Sequence, residues 1–217
     1  MRPITDCRLY GIVDLGYVKP DAVPAMTLAL VEGGADILQL RAKNMAPLDV
    51  ELLARHMLSI TRAAGVPLVI NDHAHVAAAV GSEGVHVGQD DATIADTRKI
   101  VGSQCFVGKS THSLSQARAA IAEGADYIGF GPLYATGTKP DYAAIGLADI
   151  AEVQQFATVP VFCIGGINEK TLLHVIASGA RRVVIVSAFL QAVDVRACVR
   201  SVSENLGARR SFQSIND

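Results

Sequence analysis

Arg41, Lys43 and Lys139 are cations set in short polar stretches of the chain, and Asp72 and one of Asp90 and Asp91 are carboxylates set in two more. Cations and carboxylates together suit a ligand with a phosphate chain and a hard divalent ion. Magnesium commonly takes one or two carboxylates and fills its other positions with water and phosphate oxygens. Lys139 belongs to the stretch Gly131-Pro-Leu-Tyr-Ala-Thr-Gly-Thr-Lys-Pro140. That stretch has no hydrophobic period and reads as a loop. Its glycines allow close backbone approach, Thr136 and Thr138 offer hydroxyls, and Lys139 offers a compact charge. The set suits an anion such as phosphate; the plainer alternative is an exposed turn. A second anion site is expected from Gly165-Gly166 with Val186-Ser187, where backbone N–H groups and a hydroxyl replace cations. Asp72 and Asp91 have the alternative of capping the helices that follow them.

Positioning these residues needs a regular scaffold, and the chain has the rhythm of one. Short β-rich runs at 9–14, 36–41, 66–70, 84–87, 105–109, 126–129, 160–164 and 182–186 alternate with helix-like stretches such as 48–64, 113–123, 168–178 and 189–205. Most of the runs are nearly continuously apolar, as strands covered on both faces are. Gly34, Gly65, Gly81, Gly102, Gly124 and Gly179 sit where a left-handed helix C-terminus is expected. Strand–helix alternation implies right-handed crossovers and a parallel sheet. Eight units in this length predict an α/β fold of the (β/α)8 TIM-barrel type in one domain over 1–206, with a polar, frayed tail over 207–217. An open doubly wound sheet would show a glycine-rich turn after its first strand, and Asp14-Leu-Gly-Tyr-Val is not one. In a barrel, function belongs at the C-terminal ends of the strands. The residues above, together with Ser110-Thr111-His112 after the fifth run, fall at those ends, on seven of the eight strands.

Composition excludes other classes. The chain has 217 residues, half of them hydrophobic, and a formal net charge of −2. No basic run interleaved with aromatics is present, so a nucleic-acid surface is not expected. No apolar run is long enough for a membrane span, and the first residues lack the apolar core of a signal peptide. Cys7, Cys105, Cys163 and Cys198 have no metal or redox spacing, which points to a reduced, cytoplasmic setting. Gly108-Lys109-Ser110-Thr111 is not a P-loop, because its upstream glycine, Gly102, is one residue too far away. His86 lies inside a strand and is expected to be a satisfied core histidine. No nucleophile–base arrangement is legible.

The motifs Gln39-Leu-Arg-Ala-Lys43, Asn71-Asp72, Gly84-Val-His-Val-Gly-Gln-Asp-Asp91, Ser110-Thr-His112, Gly131-Pro through Lys139 and Ile164-Gly-Gly-Ile167 together resemble the thiamine-phosphate synthase (thiamine-phosphate pyrophosphorylase) family. They do so in order, over roughly residues 8–190. The resemblance implies a magnesium-dependent transferase that joins hydroxymethylpyrimidine diphosphate to a thiazole phosphate, by a dissociative displacement of pyrophosphate. It implies that Gln39, Arg41, Lys43, Asn71 and Lys139 hold the pyrimidine diphosphate and that Ser110 contacts the pyrimidine. Asp72 and Asp91 would ligate Mg2+. Thr136, Thr138, Gly166, Val186 and Ser187 would hold the thiazole phosphate. Lys139, Arg41 and Ser110 would carry the catalytic roles. Small-molecule substrates are the expected partners, with a homodimer suggested by the family. Two departures stand out: Ile12-Val-Asp14 replaces the family's Val-Thr-Asp, and His73 replaces an arginine, which removes one cation. The rival readings are a thiazole tautomerase of the same superfamily, which needs no diphosphate clamp, and a non-catalytic barrel that senses a thiamine precursor.

Overall fold

The computed structural model describes residues 1–136 and 143–208. Its strands are β1 (Leu9–Asp14), β2 (Ile37–Arg41), β3 (Leu68–Asn71), β4 (Gly84–Val87), β5 (Phe106–Thr111), β6 (Tyr127–Phe130), β7 (Val161–Ile164) and β8 (Val183–Ile185). Each pairs in parallel with the next, and β8 returns to β1, so the sheet closes into the expected eight-stranded barrel. The helices are α1 (Val23–Gly33), α2 (Pro47–Ala63), α3 (Ala74–Val80), α4 (Ile94–Val101), α5 (Leu114–Ala122), α6 (Ile150–Phe156), α7 (Glu169–Ala177), α8 (Ser187–Leu190) and α9 (Val195–Ala208). The six punctuating glycines all have positive φ. Thr93, Ser113 and Asn168 cap α4, α5 and α7 with their side chains.

Two boundaries differ from the sequence reading. The helix expected over 189–205 is broken into α8 and α9, because Asp194 starts a new helix: its carboxylate accepts from the Ala197 amide at 3.0 Å. Helix α9 also runs through Gly207 to Ala208, two residues beyond the expected limit of the barrel domain. The rest of the expected tail, 209–217, lies outside the described residues.

Alternation along the strands sorts the apolar side chains into two layers. Leu9 and Val13 of β1 face the helices and belong to the large core between sheet and helices. Tyr10 and Ile12 face inward and join Cys7, Ile37, Val69, Tyr127, Phe162 and Val184 in a separate cluster inside the barrel. Its rings meet edge to face: Tyr10 with Phe162 at 5.3 Å and Tyr127 with Phe162 at 5.6 Å between centroids. The barrel has room for these rings because glycines stand beside them. Phe106 is in register with Gly84, and Tyr127 with Gly108. A Cβ on Gly84 would lie 2.1 Å from the Phe106 ring, and one on Gly108 would lie 2.0 Å from the Tyr127 ring. At Gly129 the nearest atom would be a His86 ring carbon at 3.6 Å, an ordinary contact.

This packing predicts a sharp difference between two alanine substitutions. Gly108→Ala forces the fully buried Tyr127 ring to move and should destabilise the protein by about 1–3 kcal/mol. Gly129→Ala should cost well under that. Urea unfolding of both variants checks the order; equal stabilities would refute the steric account.

Candidate functional site

Above the aromatic cluster, the C-terminal ends of the strands enclose a cavity lined by residues from all eight strands or the loops that follow them. Gln39, Arg41, Asn71, Ser110, Thr136, Gly166, Val186 and Ser187 line it, as the sequence reading requires. Lys43, Asp72 and Asp91 do not line it and sit on its outer rim. Thr138 and Lys139 lie outside the described residues.

Arg41 ends β2 beside Asp14, which ends β1, and the two are in register. Its Nη1 donates to Asp14 Oδ2 at 2.5 Å, and both side chains are largely buried. Asp14 Oδ1 also accepts from the Gly16 amide at 2.9 Å. The guanidinium is therefore held in one place before any ligand arrives. The sequence reading does not assign Asp14 a role, because the pairing is a consequence of strand register.

The two proposed metal ligands are not helix caps. Thr93, not Asp91, caps α4, and His73 occupies the cap position of α3 without a side-chain bond. Asp72 instead has φ of 62° at the end of β3, a left-handed conformation that costs Asp less than most residues. Its amide donates to the His86 carbonyl at 2.8 Å. Its carboxylate accepts from Asn71 Nδ2 at 2.6 Å and lies 3.8 Å from Lys43 Nζ. Asp91 Oδ2 accepts from the Gly88 amide at 2.8 Å. Burial, reinforced by the neighbouring Asp91 carboxylate, pushes the Asp72 carboxyl up to about 6. Two carboxylates meeting on adjacent strands fit a hard divalent cation, whose charge would relieve their repulsion. Among the described residues no group of three or more His, Cys, Asp or Glu side chains that could hold a metal gathers anywhere, so here two carboxylates would have to be completed by ligand oxygens and water.

On the opposite side of the mouth, the loops after β6 and β7 are stitched together. The Leu133 amide donates to the Ile164 carbonyl at 2.8 Å, and the Tyr134 amide donates to Gly165 at 3.2 Å. Gly165 and Gly166 have φ of 100° and 65°. A Cβ on Gly166 would sit 2.6 Å from Tyr134 Cβ, so glycine serves loop packing here as well as any ligand. Ser187 opens the short helix α8 after β8, whose first amides have no partner within the helix.

The floor of the cavity contains what the sequence reading missed. Gln39 Nε2 donates to Tyr10 Oη at 2.8 Å, and Tyr10 Oη lies 3.1 Å from Tyr127 Oη. Tyr127 Oη is 2.9 Å from His86 Nδ1, and His86 Nε2 is 2.9 Å from Ser110 Oγ. His86 is thus satisfied, as expected, yet it lines the cavity. A period-two reading from Ile12 and Asp14 would have placed Tyr10 on the inner face. His112 Nδ1 is hydrogen-bonded to the Gly131 carbonyl.

The carboxylate pair generates a prediction. The folded state holds the Asp72 proton more tightly than the unfolded chain, at about 6 against an ordinary 3.8. This contribution to stability is present below pH ~4 and is lost as pH rises through ~6, above which repulsion remains. Without metal, Asp72→Asn should therefore melt a few degrees above the parent at pH 7.5, a gap that closes towards pH 4. Mg2+ should raise the melting temperature of the parent more than that of the variant. Thermal melts that show no magnesium effect would remove the metal assignment.

The chain matches the family model described as thiamine monophosphate synthase over residues 9–189. It is 42% identical over 200 residues to the thiamine-phosphate synthase of Chloroflexus aurantiacus, covering 92% of each chain. It is 41% identical over 216 residues to that of a Mycobacterium species, covering 95% of each. Among solved structures, the thiamine phosphate pyrophosphorylase of Pyrococcus furiosus superposes with a TM-score of 0.86 at 29% identity, over 94% of this chain and 97% of that one. Barrel closure, a polar cavity at the strand ends and a match that spans the barrel agree: the chain belongs to the thiamine monophosphate synthase family.

Proposed function

We propose that this enzyme joins hydroxymethylpyrimidine diphosphate to thiazole phosphate, giving thiamine phosphate and pyrophosphate, with Mg2+ held by Asp72 and Asp91. The observation that carries the reading is the split character of the cavity mouth. Charged groups gather on the β1–β4 side, and glycine amides with Ser187 gather on the β7–β8 side. One anion for each side suits two phosphorylated substrates.

Charge on the β1–β4 side supports a metal. Asp14, Asp72 and Asp91 outnumber Arg41 and Lys43, so a diphosphate would meet net repulsion there. A bound divalent ion would supply Lewis-acid stabilisation of the leaving pyrophosphate. The residues of the chain do the rest. Arg41, fixed by Asp14, and Lys43 bind the diphosphate. Lys139, on the loop after β6, donates to the departing bridge oxygen. The C–O bond breaks, the pyrimidine methylene carries the positive charge, and the thiazole nitrogen forms the new C–N bond. Gly166, Val186, Ser187 and the threonines Thr136 and Thr138 hold the thiazole phosphate against that carbon. The sequence needs a clamp for developing charge rather than a general base.

Purified protein supplied with both substrates and Mg2+ should release thiamine phosphate and pyrophosphate in equal amounts, and chelation should stop the reaction. A protein that only isomerises the thiazole, or only binds, would refute the proposal. Lys139→Ala should lose about a hundred- to a thousandfold in kcat, the usual loss when one preorganised donor is removed. Its binding of the pyrimidine diphosphate should stay within about tenfold. Wild-type turnover in that variant would remove Lys139 from the mechanism.

A further inference from the structure

Five side chains from five strands form one continuous hydrogen-bonded chain across the barrel: Gln39 (β2), Tyr10 (β1), Tyr127 (β6), His86 (β4) and Ser110 (β5). The middle of this chain is sealed from solvent, with Tyr10 and Tyr127 at 2% and 0% exposure. Burial pushes both phenols well above their usual range, so each keeps its single proton. Each phenol also has two partners. A buried hydroxyl that accepts from one neighbour and has a single other partner satisfies its own O–H only by donating to that partner. The chain therefore runs in one direction from end to end.

The direction is set at Gln39. Its Nε2 can only donate, and it donates to Tyr10. Tyr10 then gives its proton to Tyr127, and Tyr127 gives its own to His86 Nδ1. With Nδ1 accepting, the neutral imidazole carries its proton on Nε2 and donates it to Ser110 Oγ. Ser110 accepts from the ring and has its own O–H left to give. All five residues line the cavity, and the two ends are the members with a hydrogen-bonding group left over for a ligand. One end offers a hydroxyl donor at Ser110; the other offers the Gln39 carbonyl, for which no protein donor is present among the described residues.

We infer that Tyr10 and Tyr127 are positioning residues that fix the Nε2–H tautomer of His86, so that Ser110 presents a donor and Gln39 an acceptor to the cavity. That pair matches an aminopyrimidine edge, where a ring nitrogen accepts and the exocyclic amine donates; this ligand rests on the reading of function above. The opposite polarity would leave lone pairs at Ser110 and N–H groups at Gln39, and would reject the same edge. Both tyrosines line the cavity floor, but their hydroxyls are used up within the chain. The phenols carry information between two binding residues that stand on different strands.

The tautomer is read without turnover, by nitrogen-15 NMR of the histidine rings with His86 assigned by substitution. The wild type should show an Nε2–H ring at His86; an Nδ1–H ring overturns the inference. Gln39→Glu turns the first donor into an acceptor. It should reverse the chain and place a proton on Nδ1, and an unchanged ring overturns the inference too. Tyr127→Phe keeps the ring packing and breaks the chain. It should weaken binding of hydroxymethylpyrimidine diphosphate by about tenfold, the effect of losing one or two well-placed hydrogen bonds, and leave thiazole phosphate within about twofold. Tyr10→Phe should act in the same sense if Tyr127→Phe folds poorly. Equal loss for both ligands, or no loss, overturns the positioning role. A wild type that keeps the Nε2 proton on His86 but binds no aminopyrimidine overturns the ligand, and with it the functional reading.

Discussion

The space inside an eight-stranded parallel barrel is too small for a large side chain at every inward position, and this steric limit organises the molecule. Gly84 and Gly108 give up their side chains so that Phe106 and Tyr127 can lie inside. With Tyr10 and Phe162 they fill the lower barrel with rings. Gly129, one pleat further along β6, carries nothing inward, and the cavity opens there beside His86. Site and core are one structure, since the upper surface of the ring cluster is the floor of the cavity. Building that floor from tyrosine rather than phenylalanine brings two buried hydroxyls that must be satisfied. Gln39 and His86 satisfy them.

Buried charge is handled differently on adjacent strand ends. Arg41 and Asp14 neutralise each other at 2.5 Å in a largely dry setting. Such a pair adds little net stability after desolvation, but it removes the rotational freedom of the guanidinium. Asp72 and Asp91 lie together, and Lys43 stands 3.8 Å from the Asp72 carboxylate. The left-handed backbone at Asp72 adds a local conformational cost in the same place. Both costs fall at one point of the rim, which is where a function would have to justify them.

Much of this was legible in the sequence, because strand ends and glycine punctuation are local signals. β1 and β4 have the expected bounds, and the polar residues after the strands do converge on one face. What escaped depends on register and parity. The Asp14–Arg41 pair exists because β1 and β2 align those residues. Lys109 adjoins Ser110 in the chain yet faces the helices, in register with Val87 and Ile128, and is not part of the cavity. The break between α8 and α9 depends on one side-chain cap at Asp194, which an apolar run of helical period conceals. The substitution of His73 for the family arginine has no ion pair to explain it among the described residues.

Polarity in the site changes with depth, and this ordering bears on how the proposed reaction would be arranged. The deep groups, Gln39, Tyr10, Tyr127, His86 and Ser110, are neutral or joined in a closed chain of hydrogen bonds. The rim groups Lys43, Asp72 and Asp91 are acidic and basic side chains that reach solvent. An uncharged heterocycle can enter the depth without stranding a charge, whereas a diphosphate there would lose its hydration and meet only Arg41, which is already paired with Asp14. Desolvation therefore favours the proposed orientation, with the heterocycle in the depth and the diphosphate at the rim. On the proposed reading, the bond that breaks spans the boundary between these two layers. The leaving group stays among ions and solvent, while the carbon that gains positive charge remains among oriented neutral dipoles, which stabilise it without needing to reorganise.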